Sequence, residues 1–380
     1  MRLRTIAKLG MVLSVVLFCM AVGFYGFTKL SMTDKSKDIN LFSLVPANGC
    51  IGVLESDNIS FFLNEVSQQN YSEELSHFRF PGLFNYVLGG LNEYTTNTAH
   101  GLSSKMNHVL VSFHVSGSSR DQVVYFRMGD SDGATLSNML QAYAPQGFAP
   151  KKEKYKGKQI YIYPLSDGDF LAVYSEAGFL AASYQKNLIE QVIDAREDEE
   201  KALLKDPVFS EIMQKKKTHK FLTLYGRTSS MPFLQNDTGC WSEFDFHLNS
   251  DVVYLAGDTF VADTCNLERM PEVLRQIPDV CEDSVVISAN KETMACYMNE
   301  ACERNNRTLF NECVANLSHE AVFMLVADMD KVAREPERFT SYLPLFLLEN
   351  ASLFRSFILS EQLSVVNGRI SHITVLTYKD

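Results

Sequence analysis

Gln362-Leu-Ser-Val-Val-Asn-Gly-Arg-Ile-Ser-His-Ile-Thr-Val-Leu376 is the stretch whose reading decides the fold. Two runs of alternating residues, 362–366 and 369–378, flank Asn367-Gly368. Asn-Gly supplies the two positive-φ residues of a tight hairpin turn, so the pair predicts antiparallel strands with a two-residue loop. Alternation means that each strand has one buried face and one wetter face.

The same pattern recurs upstream. Trp241 to Leu248 and Val252 to Phe260 flank Asn249-Ser250-Asp251 and read as a second hairpin. Gln159 to Pro164, Phe170 to Tyr174 and Phe179 to Ala182 are short strands punctuated by Gly157, Asp167-Gly168 and Gly178. That series is an antiparallel meander rather than a βαβ array. Asn107 to Val115 and Gln122 to Met128 form a further hairpin, and Cys50 to Glu55 a short buried strand.

Helices fall between these runs. One follows a cap at Asp57, Asn58 or Ser60, with Phe61, Phe62, Leu63 and Val66 for packing. Others span Pro81 to Tyr94, Leu136 to Tyr143, Asn187 to Arg196, Pro207 to Lys217 and Leu267 to Ile277. The charged run Glu197 to Lys201 reads as a seam. The expectation is an α+β protein of two lobes, 45–200 and 206–380, each with mostly antiparallel sheet flanked by helices. Val45 to Glu65 echoes Ile277 to Glu300, with a Pro, a Cys, a short strand and an Asn-Glu helix in each.

Leu9 to Phe27 holds no charged residue, with Arg2, Arg4 and Lys8 before it and Lys29 after it. Nineteen helical residues would reach about 28 Å, close to a hydrocarbon core. The reading is a transmembrane signal anchor at 9–28, a cytoplasmic N-terminus at 1–8 and a linker at 29–44. Phe24, Tyr25 and Phe27 stand where a signal peptidase needs small residues. The expected location is therefore the inner membrane, single-pass, with the body in the periplasm.

The chain carries a net charge of −11, and the part after Lys29 carries −15. That balance argues against nucleic acid as a partner. Cys50, Cys240, Cys265, Cys281, Cys296, Cys302 and Cys313 lie outside the anchor, which holds Cys19. No Cys-x-x-Cys occurs, so zinc-knuckle and thioredoxin spacings are absent. In an oxidising compartment the clustered cysteines are candidates for disulfides, with connectivity undetermined. Otherwise they serve as small buried apolar residues.

No catalytic motif is complete. Ser183-Tyr-Gln-Lys186 and Ser56-Asp57-Asn58 occur in the wrong order for a penicillin-recognising enzyme, and Lys217-Thr218 is followed by His219. His319-Glu320 lacks the second histidine of a zinc protease motif, Phe323 standing in its place. The one constellation left is a strand face bearing Trp241, Glu243, Asp245 and His247. Two carboxylates and an imidazole in a row suit proton transfer or a metal, but a charged wet face opposite an aromatic core face explains them better. Glu243, Asp245 and His247 are thus the candidate catalytic residues. His108 and His114 stand about 20 Å apart on one strand and have no joint role. No motif calls for a cofactor or a resident metal.

Leu44-Val45-Pro46, the Trp241 to Gly257 hairpin and the closing Gln362 to Leu376 hairpin resemble an uncharacterised family of membrane-anchored envelope proteins of Bacteroidetes. The resemblance implies a periplasmic α+β body and transfers no catalytic residue. The function expected is non-catalytic binding or scaffolding of an envelope protein, lipid or glycan. The alternatives are a periplasmic hydrolase at the Glu243–His247 row, and a ligand-sensing ectodomain acting through a membrane partner.

Overall fold

A computed structural model describes residues 39–59, 65–76, 104–115, 120–129, 132–143, 149–165, 168–215, 222–227, 240–260, 265–304, 307–343, 347–348 and 351–379. Its strands in the first half are β1 (Gly52–Ser56), β2 (Val109–Phe113), β3 (Gln122–Arg127), β4 (Lys151–Tyr155), β5 (Lys158–Pro164), β6 (Phe170–Glu176) and β7 (Phe179–Ser183). The second half adds β8 (Thr223–Gly226), β9 (Trp241–Asn249), β10 (Val252–Phe260), β11 (Val280–Glu282) and β12 (Val285–Ser288). It ends with β13 (Phe323–Asp328), β14 (Phe357–Val366) and β15 (Arg369–Tyr378).

All fifteen strands belong to one sheet, ordered β11-β12-β13-β14-β15-β10-β9-β8-β1-β2-β3-β7-β6-β5-β4. Asn367 and Gly368 take φ of 50° and 73°, and Val366 faces Arg369, as the Asn-Gly turn requires. Helices α1 (Ser72–Ser76), α2 (Asp132–Tyr143), α3 (Lys186–Glu197), α4 (Pro207–Lys215) and α5 (Cys265–Leu274) are followed by α6 (Lys291–Glu303), α7 (Leu309–Ala315) and α8 (Met329–Arg334).

The two-lobed α+β expectation is corrected. The chain is mostly sheet, and its halves share that sheet. β1, from the first half, pairs with β8, from the second, through Gly52↔Gly226, Val53↔Tyr225, Leu54↔Leu224 and Glu55↔Thr223. They also share a core, in which Val53 and Tyr125 pack with Phe209, Tyr225 and Trp241. The charged run after α3 is a joint and not a seam: Ala47 N–H donates to Lys201, Leu203 N–H donates to Val45, and Ala202 and Leu203 are buried. The expected linker also ends early. Leu41–Leu44 is a 3₁₀ turn capped by the Asn40 side chain, and its Phe42 ring lies 5.4 Å from Phe209 and 5.7 Å from Tyr225.

The membrane expectation is corrected as well. Among the described residues no helix is long and apolar enough to cross a membrane. Residues 1–8 and 9–28, on which the signal anchor rested, lie outside the described residues, as does 29–38. The inner-membrane, single-pass and periplasmic assignments therefore have no described element behind them. The helix expected over Pro81 to Tyr94 and most of the one after Asn58 also lie outside the described residues.

Strand alternation gives the sheet two faces. Face A carries Val53, Leu110, Tyr125, Tyr225 and Trp241 under α3 and α4 at one end. At the other end it carries Val286, Met324, Val326 and Ile358 under α6 and α7. Face B carries two cores, one with Val124, Phe126 and Leu136 and one with Leu325, Phe323 and Met329; the half-buried Phe246 and Leu248 pack against both. Gly257 lets β10 approach β9 closely, since a Cβ there would lie 1.7 Å from the Glu243 carbonyl oxygen.

Candidate functional site

Among the described residues, helices pack on face A at its two ends and none packs between them. At one end Phe209 of α4 packs on Trp241 with ring centroids 5.0 Å apart. At the other, Cys313 Sγ of α7 meets Thr377 Oγ1 at 3.7 Å. Between these contacts Glu243, Asp245 and His247 of β9, Tyr254, Ala256 and Asp258 of β10, and Ser371, Ile373 and Val375 of β15 are all half-buried. Their register places Asp245, Ala256, Ile373 and Gln362 in one row across four strands, and His247, Tyr254 and Val375 in the next.

The three residues singled out from the sequence do share this face. Asp245 Oδ1 accepts a hydrogen bond from Thr223 Oγ1 at 2.8 Å, and the His247 ring sits 5.7 Å from that of Tyr254. Same-face neighbours on a strand stand about 7 Å apart, so Glu243, Asp245 and His247 form a row and not a cluster. The face is not uniformly wet, because Trp241, on the same side, is fully buried under α4. A hollow on face B, lined by Leu54, Ser56, Ile59, Val109, Val111 and Leu222, leaves no room even for a water molecule and does not include the row.

A tighter cluster lies at the edge of the strip. Antiparallel pairing of β1 and β2 puts Ser56 opposite Val109, so the end of one strand meets the start of the other. Glu55, Asp57 and His108 thereby come together, with one ligand atom from each within 4.8 Å of the others. His108 Nδ1 lies 2.8 Å from Asp57 Oδ1, and His108 Nε2 lies 3.6 Å from Glu55 Oε1. Glu55 is 4 % exposed, and Tyr225 donates its hydroxyl to Glu55 Oε2 at 3.4 Å. Burial pushes the Tyr225 phenol far above its usual range, helped by the carboxylates of Glu55, Glu243 and Asp245. That shared influence ties the cluster to the strip. Sequence reading missed this site because Asp57 reads as a helix cap and His108 invites comparison with His114. Only the pairing of strands fifty residues apart brings His108 to Glu55.

Other sequence candidates resolve locally. Ser183 Oγ donates to the Gln122 carbonyl at 2.6 Å and accepts from Gln185 N–H, which makes it a turn residue. His114 Nε2 contacts Ser112 Oγ at 2.9 Å. His319 and Glu320 stand exposed on a turn. Cys50, Cys281, Cys296, Cys302 and Cys313 stand as free thiols in this structure. Cys50 donates to the Gly52 carbonyl, and burial pushes its thiol up to about 12, as for a small core residue. Cys240 is buried in the same way, and the Cys265 side chain lies outside the described residues.

No protein-family model matches the chain, and no curated protein matches it. One solved structure, crystal form IV of TP0453, is similar at 10% identity and a TM-score of 0.32, over 57% of this chain and 79% of that one. The resemblance to Bacteroidetes envelope proteins thus rests on the quoted sequence stretches alone.

Proposed function

We propose that this protein is a non-catalytic binding protein that docks another protein on the open strip of face A. The observation that carries the reading is the strip itself: a half-buried surface across β9, β10 and β15, with a helix-covered core at either end. Its composition mixes Tyr254, Ala256, Ile373 and Val375 with Asp245, Asp258, Ser371 and Gln362. Such a mixture is that of a non-obligate protein interface.

Three strands about 4.8 Å apart and five residues long cover about 240 Å². One partner's share of a standard interface is about 800 Å², so the flanking helices must supply most of the contact. Strand addition at the sheet edges is disfavoured. β11 has three residues, and β4 reads Lys-Lys-Glu-Lys-Tyr, a charged edge. The hydrolase alternative needs a concave Glu243–His247 site, and the sensing alternative needs an anchor that no described helix supplies.

The test is site-specific photo-crosslinking from position 373 in the full-length chain, followed by identification of the adduct. One recurrent protein adduct is expected, lost in Ala256→Arg and kept in Lys152→Ala. Adducts that are non-recurrent, or indifferent to Ala256→Arg, would overturn the proposal.

A further inference from the structure

We propose that Glu55, Asp57 and His108 form a binding site for a divalent first-row transition-metal ion, independent of the docking strip. The 2.8 Å contact of His108 Nδ1 with Asp57 Oδ1 suits an N–H···O hydrogen bond. That bond fixes the proton on Nδ1 and leaves the Nε2 lone pair facing Glu55 Oε1. The Nε2 to Oε1 distance of 3.6 Å is too long for a hydrogen bond. It does match two donors about 2.1 Å from one shared ion, which at that separation subtend roughly 118°.

The parts then take distinct roles. His108 Nε2 and Glu55 Oε1 are the ligands. Asp57 orients the imidazole from behind, the carboxylate–histidine–metal relation seen in many sites. Tyr225 holds the other oxygen of Glu55 at 3.4 Å and so limits the rotation of the carboxylate. Two protein ligands leave coordination positions for water. One imidazole nitrogen and one carboxylate oxygen, without thiolate, select ions such as Co²⁺, Ni²⁺ or Zn²⁺. Nothing in the sequence spacing marks the site, since Glu55 and His108 are brought together by strand pairing alone.

The test is a titration of the full-length protein with Co²⁺, followed by its visible d–d absorption. Saturation at one ion per chain is expected. His108→Gln and Glu55→Gln should each weaken binding at least tenfold, and Asp57→Asn by about ten- to a hundredfold. The exposed thiols are the competing ligands, so Cys281→Ser/Cys296→Ser/Cys302→Ser should leave the spectrum unchanged. If a variant folds poorly by circular dichroism, the wild-type protein still reports: a Co²⁺-bound His108 gives a far-downfield exchangeable Nδ1 proton in its NMR spectrum. No saturable binding, binding indifferent to His108→Gln, or an intense near-ultraviolet thiolate band lost with the cysteines would each overturn the site.

Discussion

Glu361 of β14 is fully buried on face B, where Thr374 Oγ1 donates to its Oε2 at 2.7 Å and its Oε1 has no hydrogen-bond partner. Burial pushes its carboxyl from 4.5 up to about 8. His372, two residues from Thr374 and hydrogen-bonded to Thr259, is pushed from 6.5 down to about 3 by burial alone. The two act on stability with opposite signs. Glu361 contributes stability that is full below 4.5 and is lost as pH rises through about 8. His372 contributes stability that is full above 6.5 and is lost as pH falls through about 3. Between pH 4.5 and 6.5 they largely offset each other, and from 6.5 to 8 Glu361 acts alone. At about 1.4 kcal/mol per pH unit, unfolding free energy should fall by about 2 kcal/mol over that window. Urea denaturation at pH 6.5 and pH 8 should show the fall in the wild-type protein and its absence in Glu361→Gln. An equal fall in both would assign the slope to other groups. None of this was legible in the sequence, where Glu361 and His372 are merely one charged and one polar residue on alternating strands.

At the scale of elements, legibility followed the strength of the local signal. The Asn-Gly hairpin of β14 and β15, the Trp241 to Phe260 hairpin and the β5–β7 meander all formed where alternation and turn residues placed them. β4 was missed, because Lys-Lys-Glu-Lys-Tyr lacks the apolar alternation that marks a half-buried strand. It is a strand because Lys156 and Gly157 take φ of 47° and 78° and fold it back onto β5. Its charges protect the edge: Lys151 and Lys186 pair with Glu153 at 2.7 and 2.8 Å. Replacing Lys151, Lys152 and Lys154 with Val should expose a pairing edge. Light scattering should then show a concentration-dependent rise in mass relative to the wild-type chain. An unchanged mass distribution would mean that the charges guard nothing.

For the whole molecule, the two-lobed reading misled where charge was taken for a boundary. The charged run Glu197 to Lys201 looks like a boundary, yet its neighbours Ala202 and Leu203 are buried and bonded to the start of the chain. Charge on one side of a short connection does not report what the other side packs against. Pairing between strands 170 residues apart, β1 with β8, leaves no local trace at all. That pairing makes one sheet of two halves, sets the Glu55–Asp57–His108 cluster beside the docking strip, and is the central claim about the fold. Its register can be tested directly. Arg227 N–H donates to the Ile51 carbonyl, so 51 and 227 form a hydrogen-bonded pair and 54 and 224, three steps on, a non-hydrogen-bonded one. Side chains in such a pair are close enough for a disulfide. Mild oxidation of the Leu54→Cys/Leu224→Cys variant, read by mass mapping of linked peptides, should give the 54–224 cross-link in most chains, whereas Leu54→Cys/Thr223→Cys, pointing to opposite faces, should stay reduced. Failure of 54–224 to link, or equal linking of both pairs, would contradict the single sheet.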